Sequence, residues 1–191
     1  MKKDFISAVL YTVAMTVLLG LIYPLVITGL SAAMKDKANG QLISKDGVVI
    51  GSRILAQPFS STKYFHPRLS AAGTNGYDAS NSGATNWGPT NQKLIDRVKA
   101  DVSRLRAENP GKPVPVDLVT ASASGLDPDI TPAAAEFQVM RVAKARGVAE
   151  EALRKLVAEY TQQRQFGFLG EPRVNVLELN LALDERFPAG K

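Results

Sequence analysis

The sequence predicts one N-terminal membrane-spanning helix followed by a small α+β (mixed α/β) extracytoplasmic domain. Three observations carry this reading. Phe5 to Met34 runs between Asp4 and Lys35 without a charged side chain. Residues 35–191 are long enough for one compact domain with its own core. Within them, short strand-like runs and stretches of helical periodicity follow one another with turn residues between.

As an α-helix, residues 5–34 extend about 45 Å at ~1.5 Å per residue, enough to cross a hydrocarbon layer of roughly 30 Å with some tilt. A cleaved signal peptide is the competing reading, since Lys2 and Lys3 precede the run and Ser31-Ala32-Ala33 fits a small-x-small cleavage site. A signal core needs only about 7–15 apolar residues, so length favours a retained anchor. Ala8, Thr12, Thr16 and Gly20 recur every fourth residue as a small-residue ridge that suits close helix packing, although such residues are common in membrane helices generally. Tyr23 and Pro24 follow, and Pro24 deprives the Gly20 carbonyl of its helical donor, which predicts a kink. Lys2 and Lys3 hold residues 1–4 in the cytoplasm, because a short basic terminus stays inside while a long domain crosses regardless of its charge. The absence of cysteine decides nothing about compartment.

The chain has 23 Lys and Arg against 18 Asp and Glu, a net +5. These charges interleave, as on Lys93–Glu108, which excludes a basic stripe for nucleic acid. In the domain, Lys45-Asp46-Gly47 between Gln41-Leu-Ile and Val48-Val-Ile signals a hairpin. Residues 51–89 lack periodicity but contain Phe59, Tyr64, Phe65, Tyr77 and Trp87, which predicts an ordered irregular segment anchored by aromatics. A helix follows Gly88-Pro89, with Leu94, Val98, Val102 and Leu105 on one face, and stops at Asn109-Pro110-Gly111. Val116–Ala121 reads as a strand. Thr131 and Pro132 open a second helix that turns Phe137, Met140 and Ala143 inward. A third runs from Ala149 to about Gln163 with Leu153, Leu156, Val157 and Tyr160 on one face. The alternation of Leu177, Leu179, Leu181 and Leu183 reads Arg173–Leu183 as a closing strand.

Candidate chemistry is sparse. His66, the one histidine, makes no metal site alone, and no Gly-x-Ser-x-Gly elbow accompanies it. An extracytoplasmic hydrolase using His66 with Asp127 or Asp129 is the enzyme alternative, against a loop histidine that bonds locally or meets a partner. Asp127 and Asp129 have a structural reason in the positive end of the helix beginning near Pro132. Asn75, Asp78, Asn81, Ser82, Asn86 and Asn91 could attract a hard cation, but turns use the same residue types. Neither common phosphate-cradling glycine motif occurs.

Several ordered segments resemble the C subunit of the Kdp potassium-transporting ATPase. They are Tyr23-Pro24; Gly51-Ser52 with Gln57-Pro58-Phe59; Tyr64-Phe65-His66-Pro67-Arg68-Leu69-Ser70-Ala71; Ser82 through Asn91; Pro115 through Asp127; Gln138 through Arg146; and Val174 through Asp184. The likeness covers nearly the whole chain. It departs at Leu69, where the family usually has proline, at Ala84 and Trp87, where Gly and Leu are common, and at Asp129, where many members carry histidine.

The resemblance implies a non-catalytic, single-pass accessory subunit in a bacterial inner membrane. Its partners would be the potassium-conducting A subunit, the P-type ATPase B subunit, the small F subunit and the lipid bilayer. Potassium and ATP would be handled by the complex, with no cofactor of its own. The family is described as raising the ATP affinity of the B subunit, with Gln138 and Arg141 likened to a nucleotide-contacting motif. An extracytoplasmic domain conflicts with direct ATP contact and leaves indirect coupling through the helix. Expected partner contacts are Ala8, Thr12, Thr16, Gly20, Tyr23 and Pro24 in the membrane, and Tyr64, Phe65, His66, Arg68 and Asn86 in the domain.

Overall fold

The computed structural model describes residues 1–188 and divides the chain into two compact units, Met1–Leu42 and a second beginning at Ile43. In the first, α1 (Lys2–Val17) leads through a π-helical turn (Leu18–Ile22) into α2 (Tyr23–Ala32). Together they make one 31-residue apolar helix with no buried residue, long enough to cross a membrane. The irregularity expected at Pro24 takes the form of this π turn. Proline brings no donor for the Gly20 carbonyl, and just before it the ladder slips by one residue, so that Tyr23 N–H donates to the Leu18 carbonyl. The Thr28 hydroxyl donates to the Pro24 carbonyl at 2.8 Å. A short helix, α3 (Lys35–Ala38), ends this unit.

The second unit opens with the expected hairpin, β1 (Leu42–Lys45) and β2 (Val48–Ser52). Asp46 and Gly47 both have positive φ, 52° and 78°, the two left-handed residues that a tight hairpin turn requires. Then comes the long irregular segment, followed by α4 (Gln92–Glu108), whose N-cap Asn91 accepts from Lys93 N–H at 2.9 Å. The strand expected over Val116–Ala121 is a 3₁₀ turn, Val116–Leu118. Its Asp117 turns inward and accepts from both the backbone N–H (2.8 Å) and the hydroxyl (3.2 Å) of Thr131. The acidic complement to the next helix start therefore comes from Asp117, where Asp127 and Asp129 were expected to supply it.

After β3 (Asp129–Ile130), Thr131 caps α5 (Pro132–Arg146), its hydroxyl accepting from Ala134 N–H. Phe137 and Ala143 are buried as expected; Met140 is only half-buried, and Val139 and Val142 fill the core position expected of it. Helix α6 (Glu150–Glu159) stops four residues short of the expected Gln163, because β4 (Thr161–Gln162) begins there. The closing segment is corrected most. Only Arg173–Asn175 is strand (β5), and Val176–Arg186 is a helix, α7, capped by Asn175, which accepts from Glu178 N–H at 3.1 Å. Strand β5 lies between β3 and β4 in an antiparallel sheet. The core gathers Val139 and Val142 of α5, Leu153 and Leu156 of α6, Val174 of β5, Leu179 and Leu183 of α7, and Phe65 from the irregular segment.

Candidate functional site

Residues 62–66 are a piece of irregular chain that five side chains from α5 and α7 hold in place. Phe65 is fully buried; its N–H donates to Asn180 Oδ1 and its carbonyl accepts from Asn180 Nδ2, both at 2.9 Å. Gln138 repeats the device on the next residue, accepting from His66 N–H at 2.8 Å and donating to the His66 carbonyl at 3.1 Å. Each amide thus satisfies a donor and an acceptor that a loop cannot pair for itself. Arg141 donates to the carbonyls of Thr62 (2.8 Å) and Tyr64 (3.0 Å) and to Gln138 Oε1 (2.7 Å). Arg146, its side chain fully buried, reaches the Lys63 and Phe187 carbonyls and Asp184. The Asp184 carboxylate also accepts from the Tyr64 hydroxyl at 2.9 Å, which is the main reason the Tyr64 phenol is held above its ordinary value.

Beside this segment lies a cavity of about 160 Å³ lined by Phe59, His66, Tyr77, Arg104, Leu105, Glu108, Gln138 and Arg141, among others. Glu108 bonds Arg104 at 2.9 Å and stands 3.8 Å from Arg141. Burial first, and the Arg141 charge second, lower the His66 pKa, while its contact to the Ser61 carbonyl, 3.0 Å from Nε2, works in the opposite direction. Burial likewise lowers the pKa of Arg141.

Asp127 and Asp129 line a separate cleft of about 270 Å³ together with Arg68, Asp117 and Arg173. Arg68 bonds Asp127 at 2.8 Å and Arg173 bonds Asp129 at 3.0 Å. Burial still raises the Asp129 pKa, with help from the neighbouring Asp127 and against Arg173. The structure therefore does not join His66 to either aspartate, and the hydrolase alternative finds no support in it. Among the described residues, no group of three or more His, Asp or Glu is arranged to hold a metal ion.

Of the expected contact residues, Tyr64, Phe65 and His66 come together, with Arg68 bridging to the acidic cleft. Asn86 is exposed at φ 53°, a conformation that asparagine tolerates. Asp78 and Asn91 serve turn and cap chemistry as expected: Asp78 accepts from Ser80, and Asn91 caps α4. Ala8, Thr12, Thr16, Gly20, Tyr23 and Pro24 are exposed along the apolar helix. Sequence reasoning missed two features. Asn180 was read within the closing strand and Asp184 just beyond it, and neither was given a role. Phe166, Phe168 and Leu169 are exposed at a tight turn between β4 and β5; the run Phe-Gly-Phe-Leu-Gly was the signal that could have found it.

Comparison with known proteins gives a consistent result. The family model described as "KdpC: K+-transporting ATPase, c chain" matches residues 5–185. A protein of Koribacter versatilis named "Potassium-transporting ATPase KdpC subunit" is 68% identical over 189 residues, covering 98% of this chain and 97% of its own. Proteins of the same name from Acidobacterium capsulatum and Rhodospirillum rubrum are 59% and 56% identical. They span 94% and 98% of this chain, and 96% and 98% of their own lengths.

Proposed function

The chain belongs to the KdpC family of K+-transporting ATPase c chains, and from that premise we propose that it is a non-catalytic accessory subunit of an ATP-driven potassium uptake complex. It is anchored in the bacterial inner membrane by residues 2–32, with the N-terminus cytoplasmic and the domain outside. Its partners are a potassium-conducting subunit, a P-type ATPase subunit, a small third subunit and the bilayer. The observation that carries this reading is the near full-length family match of a chain whose helix from Lys2 to Ala32 is long and apolar enough to cross a membrane and has no buried residue.

The site's geometry supports a structural use of Gln138 and Arg141. Their polar atoms are engaged with the backbone of residues 62–66, and the Arg141 side chain is only 15% exposed. Any effect on the ATP affinity of the ATPase subunit is then indirect, passing through the anchor and the assembly. The experiment is purification of the complex through a tag on the ATPase subunit, with and without this chain. Loss of intact complex and of potassium-stimulated ATPase activity without the chain, restored when it is supplied, is the expected result. Full assembly and activity in its absence would overturn the reading. Within the membrane, the Ala8-Thr12-Thr16-Gly20 ridge packs on a partner helix. Thr16→Phe combined with Gly20→Leu weakens co-purification, and unchanged assembly of that variant would remove the ridge from the interface.

A further inference from the structure

Residues 162–171 are ten consecutive exposed positions, yet they are not loose chain. Thr161 and Gln162 pair with Val174 and Arg173, and Val174 is fully buried, so the segment stands as a finger rooted in the core sheet. At its end Gln165 and Leu169 exchange both backbone hydrogen bonds at 2.9 Å, and Gly167 and Phe168 donate back to Arg164 and Gln165 at 3.2 Å. The tip so ordered presents Phe166 at 87%, Phe168 at 70% and Leu169 at 48% exposure.

Phe166 has φ 52°. An aromatic residue is uncommon there, and glycine or asparagine would adopt the conformation at less cost. The fold therefore keeps a ring that is both conformationally disfavoured and unburied, a combination that points to function. The cations of the finger are engaged: Arg164 pairs with Glu171 across its shank, and Arg173 with Asp129. A lipid-docking tip gains from free basic residues beside its apolar ones, to meet anionic headgroups. A rigid aromatic knob on a charge-paired shank suits an apolar socket in a protein, where preformed anchors lose little freedom on binding.

We propose that the Gln165–Leu169 tip is a docking knob that seats Phe166 and Phe168 in a hydrophobic pocket of another subunit of the transport complex. This rests on the accessory-subunit reading. In the test, the whole complex is expressed and retrieved through a tag on this chain, and a photo-crosslinking phenylalanine analogue replaces Phe166. An adduct to another subunit is expected. Phe166→Asn combined with Phe168→Ser lowers the recovery of the other subunits at least ~10-fold, as loss of a central aromatic anchor does. The thermal midpoint of the isolated full-length chain stays level, because asparagine relieves the left-handed residue. Phe168→Leu retains recovery.

If the unmodified chain retrieves no ATPase subunit, the accessory reading falls and takes this proposal with it. If it retrieves the complex and the double variant does so equally well, the knob alone is overturned. An adduct only to lipid, or only to a second copy of this chain, also overturns it.

Discussion

Asn180 illustrates how single side chains hold this domain's irregular segment. It is 1% exposed, and its amide closes both backbone bonds of Phe65. Asn180→Ala leaves a buried donor and a buried acceptor unpaired, at ~1–3 kcal/mol each, so a loss of about 2–6 kcal/mol is expected. For a domain of this size that lowers the thermal midpoint by roughly 4–24 °C, and an unchanged midpoint would show that the two bonds contribute nothing. His66 supplies a pH dependence. Burial and Arg141 hold its pKa below the ordinary ~6.5, so the folded state resists the proton that the unfolded chain accepts. The penalty is full below the folded pKa and disappears as pH rises past the unfolded one. Lowering the pH from 7.5 to 5.5 should therefore destabilise the wild type more than His66→Gln, and parallel midpoint curves for the two would refute this. At this scale the sequence exposed half of the arrangement. Tyr64 to Arg68 stood out by composition, but the residues that clamp them lie 72 and 115 positions further on, and nothing local in a sequence encodes such a pairing.

Among the elements, those marked by local chemistry were legible, and those decided by burial were not. Asp46-Gly47 and Thr131-Pro132 carry their conformations in their own residue types, so the hairpin and α5 begin where expected. The alternating leucines of 177–183 misled because α7 is buried around most of its circumference, with Val176, Leu177, Leu179, Asn180, Ala182 and Leu183 all inside. A helix enclosed in this way loses the one-sided pattern that would distinguish it from a strand. The signal that could have decided was Asn175 followed three residues later by Glu178, an N-cap with an acidic residue in the first turn. Pro24 is the element-level prediction. Pro24→Ala supplies an amide for the Gly20 carbonyl, so Leu18–Ile22 should close as ordinary α-helix. Removing the extra residue of the π turn rotates the ridge at Ala8–Gly20 by about 100° relative to α2. Carbonyl and amide chemical shifts of residues 18–24 in micelles check it, and a retained π pattern would show that proline is not its cause.

For the whole molecule the deciding question is which side of the membrane the domain occupies, because that fixes what it can touch. Membership in the KdpC family leaves the side open, and the argument for outside rests on a short basic N-terminus preceding a long domain. The chain contains no cysteine, so an introduced thiol is its only one. Ser44 on β1 and Ser103 on α4 are both exposed. Ser44→Cys and Ser103→Cys, made separately in the assembled complex, should react with a membrane-impermeant maleimide in intact cells. Such labelling would exclude direct contact of Gln138 and Arg141 with cytoplasmic ATP, and an influence on nucleotide affinity would have to pass through the anchor. It would also place the apolar finger where only extracytoplasmic surfaces of partner subunits can receive it. Protection of both thiols until the cells are permeabilised, with normal labelling in the solubilised complex, would reverse the topology. The cavity beside Arg104 and Arg141 would then face the compartment that contains ATP, and the same two guanidinium groups would need to be tested against nucleotide directly.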